Sequence, residues 1–145
     1  MYLVDTNVLS AAAPTKAVAT PTLSAWMHHN SADLYLSVIT IAEVEDGIAK
    51  SRRLGARRKA ERLSEWLDTL IHLYGSRMLP IDLETARRIG ILSDLARGQG
   101  EAPSLTDLAI AATALKNGFT ILTRNLRHFG PLGVAALDPF ETLPV

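Results

Sequence analysis

Apolar residues along the chain fall into two alternating patterns. Short runs rich in β-branched, aromatic and leucine side chains read as strands: Tyr2-Leu3-Val4, Leu34-Tyr35-Leu36-Ser37-Val38, Met78-Leu79-Pro80-Ile81, Phe119-Thr120-Ile121-Leu122 and Val134-Ala135-Ala136-Leu137. The stretches at roughly 21–30, 40–50, 57–74, 83–98 and 106–117 read as helices. In the last of these, Leu108, Ala111, Ala112 and Leu115 recur at helical spacing, and Gly118 is a natural stop. Pro80 cannot donate to a ladder, which predicts an edge position for the third strand. Strands separated by helix-length segments imply right-handed βαβ crossovers. The predicted fold is therefore α/β, with a mostly parallel sheet of about five strands covered on both faces. No repeat, low-complexity tract or linker divides residues 1–145, so one domain is expected, with 98–103 as an internal loop.

Composition narrows the functional classes. With 48% hydrophobic and 21% charged residues, the chain reads as a soluble globular domain. Formal net charge is zero, so attraction to nucleic acid or membrane must come from local patches. The absence of cysteine excludes a disulfide framework, thiolate zinc sites and cysteine nucleophiles. The N-terminus meets a carboxylate at Asp5, too early for a signal peptide. The apolar run 108–115 is far short of the ~20 residues a membrane helix needs. A cytoplasmic protein without membrane association is expected.

In an open parallel sheet, ligands gather at the carboxyl ends of the strands. That directs attention to Asp5-Thr6-Asn7 after the first strand and Thr123-Arg124-Asn125 after the fourth. It also picks out Glu43 and Asp107, near the starts of two helices. Each acid has a structural explanation. Asp5, Thr6 or Asn7 can cap a following helix, Thr40-Ile41-Ala42-Glu43 has the form of a capping box, and Ser104-Leu105-Thr106-Asp107 nearly does. Together they suggest something else, because three carboxylates on one rim repel and raise each other's pKa unless a cation intervenes. Mg²⁺ or Mn²⁺, which prefer oxygen ligands, would keep such a cluster ionised. No G-x-S-x-G nucleophile elbow competes. His28 and His29 are adjacent and so point in different directions on a helix, while His72 and His128 read as isolated surface or packing residues.

The motifs around these acids resemble the PIN-domain family. Val4-Asp5-Thr6-Asn7-Val8-Leu9-Ser10 is similar to its opening motif, and the segment from Ser37 through Glu43 to Ile48 to its second. Asp107-Leu108-Ala109-Ile110-Ala111-Ala112-Thr113-Ala114 resembles the third. Leu122-Thr123-Arg124-Asn125-Leu126-Arg127-His128-Phe129, followed by Asp138-Pro139-Phe140, resembles the fourth motif and the end of bacterial toxin members. All four occur in order across nearly the whole chain, most like the VapC-type toxins of toxin–antitoxin pairs, including the FitB-like subgroup. The resemblance implies a three-layer α/β/α fold and a Mg²⁺- or Mn²⁺-dependent endoribonuclease. By position, Asp5, Glu43 and Asp107 would hold metal and carry catalysis, supported by Thr6, Asn7, Thr123 and Asn125. Many PIN nucleases have a fourth acid in the segment 123–125, where this chain has Asn125, and relatives often have Asp where His128 stands. One firmly held metal and a weak or substrate-dependent second one are expected, which leaves room for feeble catalysis.

Positive charge is densest at Lys50, Arg52, Arg53, Arg57, Arg58, Lys59 and Arg62, where spacings 53/57 and 58/62 place pairs on shared helix faces. This stripe is either a phosphate track or a solvated face. Arg124 and Arg127 flank the predicted site and are the better candidates for substrate contact. Base preference is not legible, because the aromatic residues are scattered. The resemblance further implies a small antitoxin lying in the active-site groove, and a homodimer. Trp26, Leu63, Trp66 and Leu67 form either a docking face or ordinary core. Two rivals remain at this point. One is a phosphatase resembling the haloacid dehalogenases, with Asp5 as nucleophile, although that family wants a second Asp where Asn7 stands. The other is a catalytically weak or inactive PIN-fold module that binds RNA or protein.

Overall fold

A computed structural model describes residues 1–14 and 21–144. Its strands are β1 (Tyr2–Val4), β2 (Leu34–Ser37), β3 (Met78–Leu79), β4 (Thr120–Leu122) and β5 (Ala136–Leu137). They form one sheet in the order β3-β2-β1-β4-β5, with every neighbouring pair parallel. The helices are α1 (Thr6–Ser10), α2 (Pro21–His29), α3 (Val38–Arg53), α4 (Arg57–Tyr74), α5 (Leu83–Gly98), α6 (Leu105–Asn117) and α7 (Leu126–Phe129).

Alternation along the strands explains the layers. Successive side chains point to opposite faces, so a strand buried on both sides is apolar throughout. Leu3 and Ile121 pack with Leu92, Ala96, Ile110 and Ala111 from α5 and α6. Val4, Leu36 and Leu122 face the other way and pack with Val8, Leu23 and Leu70 from α1, α2 and α4. A further cluster of Val44, Ile48, Ala60 and Leu67 joins α3 to α4. The result is the expected three-layer α/β/α arrangement. No helix among the described residues is long and apolar enough to cross a membrane.

Where element ends differ from expectation, local chemistry accounts for it. The side chain of Ser37 accepts a hydrogen bond from the Ile39 amide at 3.1 Å and caps α3, which therefore starts at Val38. Thr40 and Glu43 are thus inside the helix, and the capping box expected there does not exist. The chain breaks between α3 and α4 at 54–56, where Gly55 has φ +84°. Arg53 and Arg57 consequently lie on different helices and share no face, whereas Arg58 and Arg62 both lie on α4. Strand β3 ends before Pro80 and is an edge strand, as the proline predicts. Helix α6 ends on Gly118, whose left-handed φ of +68° lets its amide reach the last turn's carbonyls.

Strands β1, β2 and β3 are laid down in one direction across the sheet, and β4 and β5 in the other. The order reverses between β1 and β4. At such a switch point the loops diverge and a crevice opens at the carboxyl ends.

Candidate active site

Asp5 and Thr123 are the first residues beyond β1 and β4, the two strands that flank the switch point. Val4 pairs with Leu122, and the Asp5 amide continues the ladder by donating to the Leu122 carbonyl at 2.9 Å. The Asp5 side chain is buried, with 5% of the residue exposed. Its Oδ1 accepts from the Thr6 amide at 2.8 Å, so Asp5 does cap α1. Its Oδ2 accepts from the Thr123 hydroxyl at 2.7 Å. Thr123 Oγ1 in turn accepts from the Asn125 amide at 3.0 Å and faces Asn7 Nδ2 at 3.4 Å. Asn7 Oδ1 accepts from the Arg124 amide at 3.1 Å. Asn7 and Thr123 therefore clamp the two loops against each other around Asp5. Asn125 enters this network through its backbone; among the described residues its exposed side chain makes no hydrogen bond.

Glu43 reaches the same place from the second turn of α3. The Thr6 hydroxyl donates to Glu43 Oε1. A hydroxyl has one proton, so the 3.1 Å contact between Thr6 Oγ1 and Thr40 Oγ1 has Thr40 as donor. Thr40 is fully buried and supports Thr6 from below. Reading it as a cap overlooked this role, although its position three residues before Glu43 places both on one helix face.

Asp107 lies in the first turn of α6, where its amide donates to the capping Ser104 hydroxyl at 3.1 Å. Its side chain points elsewhere, with Oδ2 standing 3.1 Å from Nδ1 of His128 on α7. His128 is therefore not isolated, contrary to the sequence-based expectation. The usable signal was its place one residue before Phe129, where relatives often carry an acid.

Electrostatics ties the three acids together. Burial raises the Asp5 pKa, against the opposing hydrogen bonds from Thr123 and Thr6; the Asp107 charge adds to the rise, and His128 counters it. Burial also raises Glu43, opposed by the Thr6 hydroxyl and reinforced by the charges of Asp5 and Asp107. An all-oxygen cluster with mutual repulsion has the donor chemistry that suits a hard divalent cation. Among the described residues, no group of three or more acidic or histidine side chains is arranged to hold an ion as it stands. Asp107 engages His128 instead, and Glu43 engages Thr6.

Two grooves flank the cluster. One of about 210 Å³ is lined by Thr6, Glu43, Ser51, Lys59 and Leu63, so Lys59 of the basic stripe borders an acid of the site. Another of about 530 Å³ runs past Ser104, Asp107, Arg127 and His128. The Arg124 guanidinium lies 4.3 Å from the centre of the Phe140 ring, a cation–π contact that holds it over the loop. Leu67 is buried, and Trp26, Leu63 and Trp66 are partly buried against the core, so packing explains the apolar face named from sequence.

Residues 2–130 match the family described as PIN domain. The chain is 35% identical over 145 residues to VapC ribonuclease Y4jK of Sinorhizobium fredii, covering 97% of this chain and 99% of that one. It is 32% identical over 145 residues to Toxin FitB of Neisseria gonorrhoeae, with the same coverage. The crystal structure of FitAcB from Neisseria gonorrhoeae superimposes with a TM-score of 0.83 at 32% identity, over 97% of this chain and 99% of that one. The chain belongs to the PIN domain family, on the side of it where the VapC and FitB proteins lie.

Proposed function

We propose that this protein is a Mg²⁺- or Mn²⁺-dependent endoribonuclease that acts in the cytoplasm as the toxin of a toxin–antitoxin pair. The observation that carries the proposal is the convergence of Asp5, Glu43 and Asp107 at the switch point of the sheet. There the Asp107 charge raises the pKa of Asp5, and both of these acids raise that of Glu43, while Thr6 and Thr123 hold Glu43 and Asp5 in place. The relatives named as a VapC ribonuclease and a toxin point the same way.

In this reading Asp5, Glu43 and Asp107 would hold the cation. When bound, it supplies charge neutralisation at a phosphodiester and lowers the pKa of water for attack on phosphorus. The chain's own residues prepare the site. Thr123 and the Thr6 amide fix both oxygens of Asp5, and Thr40 fixes the Thr6 hydroxyl that orients Glu43. Arg124 and Arg127 would hold RNA phosphates beside the acids, with Lys59 on the other flank. The charge and openness of the two grooves also suit the tail of a small antitoxin whose basic side chain would neutralise the acid cluster. A homodimer and a single domain over 1–145 complete the proposal.

A weakly active or inactive binding module is favoured by one feature: His128 Nδ1 stands 3.1 Å from Asp107 Oδ2, so an acid of the cluster already has a partner. One experiment decides between the two. Purified protein is incubated with mixed bacterial tRNA and rRNA, with Mn²⁺ or Mg²⁺, with EDTA, and as Asp5→Asn. Discrete fragments that require both metal and Asp5 establish the nuclease. No cleavage by folded protein under any condition leaves the binding module.

A further inference from the structure

We propose that the groove beside Asp107 is a guanine-reading pocket for single-stranded RNA, with Glu101 and Arg127 as its reading residues. The inference rests on the proposed ribonuclease activity and adds to it a base preference. The groove has a volume of about 530 Å³, and Ala102, Pro103 and Pro131 give it an apolar side while Glu101, Ser104 and Arg127 give it polar groups. That volume and mixture suit a small planar ligand. Asp107 lines the groove as well as belonging to the acid cluster, so its occupant lies next to the phosphate that the acids would act on.

Glu101 and Arg127 carry opposite charges along one groove, yet among the described residues neither takes part in an ion pair. Both are therefore available to a ligand. A carboxylate only accepts and a guanidinium only donates, so a base that engages both in bidentate fashion must present a pair of donors on one edge and acceptors on another. Guanine does so, with N1–H and the N2 amino group on its pairing edge and O6 with N7 on the other. Adenine and cytosine each place a ring acceptor beside their amino donor, which would face the carboxylate. Uracil offers one N–H between two carbonyls. The loop carrying Glu101 is pinned: its amide donates to the Ala96 carbonyl at 2.9 Å, and Gln99 Nε2 donates to the Pro131 carbonyl at 3.2 Å. A reading residue on a tethered loop loses less entropy on binding. Recognition through the pairing edge requires an unpaired base, hence a single strand.

The test measures binding and cleavage separately. Full-length Asp5→Asn protein is titrated by fluorescence anisotropy with the RNA hexamers UUGUUU, UUAUUU, UUCUUU and UUUUUU. The guanine hexamer should bind about tenfold more tightly than the others. Glu101→Gln and Arg127→Gln, each at an exposed position, should each erase most of that difference. Equal affinity for all four hexamers, or a guanine preference undiminished by either substitution, overturns the pocket assignment. Cut sites of the wild-type protein with Mn²⁺ are mapped in parallel. Cleavage at sites without guanine, alongside equal binding, would remove the guanine inference and leave the nuclease standing. Absent cleavage would remove the nuclease, and the hexamers would still decide the pocket.

Discussion

His128 Nδ1 lies 3.1 Å from Asp107 Oδ2, and this contact joins α7 to an acid of the candidate metal site. A cation drawing on Asp107 must compete with it. The contact also ranks two positions where a fourth acid could act. Asn125 follows Thr123 directly, but its side chain is exposed and makes no hydrogen bond among the described residues, whereas His128 touches an acid of the cluster. His128→Asp should therefore raise Mn²⁺ affinity, by about tenfold, through one added hard ligand and one competitor removed. Asn125→Asp should raise it less. Isothermal titration of the two variants beside wild type checks the order, and equal affinities would place His128 outside the site.

Asp5 offers a prediction that separates function from stability. Its native pKa is raised, chiefly by burial, so between the unfolded carboxylate value and the native one the folded state binds more protons than the unfolded state. Stability then falls as pH rises through that window, so above it the Asp5 carboxyl is a net cost in the metal-free protein. Asp5→Asn removes the charge and keeps an oxygen for the Thr6 amide. The variant should lose cleavage and melt a few degrees higher than wild type at pH 7 without metal, with the gap closing toward pH 4. Melting curves across pH in EDTA read this directly; a lower melting temperature at pH 7 would mean that the hydrogen bonds outweigh the burial.

The strands, the edge position of β3 and the helix stop at Gly118 were legible from the sequence because each depends on local chemistry: side-chain period, a missing proline donor, a left-handed cap. The positions of Asp5, Glu43 and Asp107 near the starts of three helices were legible for the same reason. Contacts between distant segments were not. Nothing local distinguishes Thr40 as a cap from Thr40 as a buried prop for Thr6, since that depends on Ser37 capping α3 instead. His128 looked isolated because its partner lies 21 positions away, on a helix whose orientation only the packed sheet defines. The pairing of Arg53 with Arg57 failed over the short break at 54–56, within the few-residue error of any boundary drawn from pattern.

Thr6 holds Glu43 without being a metal ligand in the proposed site, and that gives it a distinct signature. Its hydroxyl lowers the Glu43 pKa against burial and the two neighbouring acids. Thr6→Val keeps the shape and deletes the proton. Glu43 should then titrate at still higher pH, moving the acidic limb of the cleavage profile upward, and activity near neutrality should fall about tenfold or more. Thr6→Ser should restore both. A valine variant with a lower rate but an unmoved profile would assign Thr6 a packing role only.

The basic stripe has one member whose position makes the choice between phosphate track and solvated face testable. Lys59 lines the groove that holds Thr6 and Glu43, while Arg62 of the same helix donates to the Pro14 carbonyl at 2.7 Å. An RNA strand crossing the acids would pass Lys59, and each phosphate neutralised by a cation releases a counterion. Binding of a single-stranded RNA to the Asp5→Asn protein should weaken with salt, and adding Lys59→Ala should reduce the slope of log affinity against log salt by about 0.7. The weakening should be nearly the same for every base, because a phosphate contact carries no sequence information. That separates it from Glu101→Gln, whose effect should be confined to guanine and leave the slope alone. An unchanged slope in the Lys59 variant would make the stripe a solvated face and send the RNA out of the site by another route.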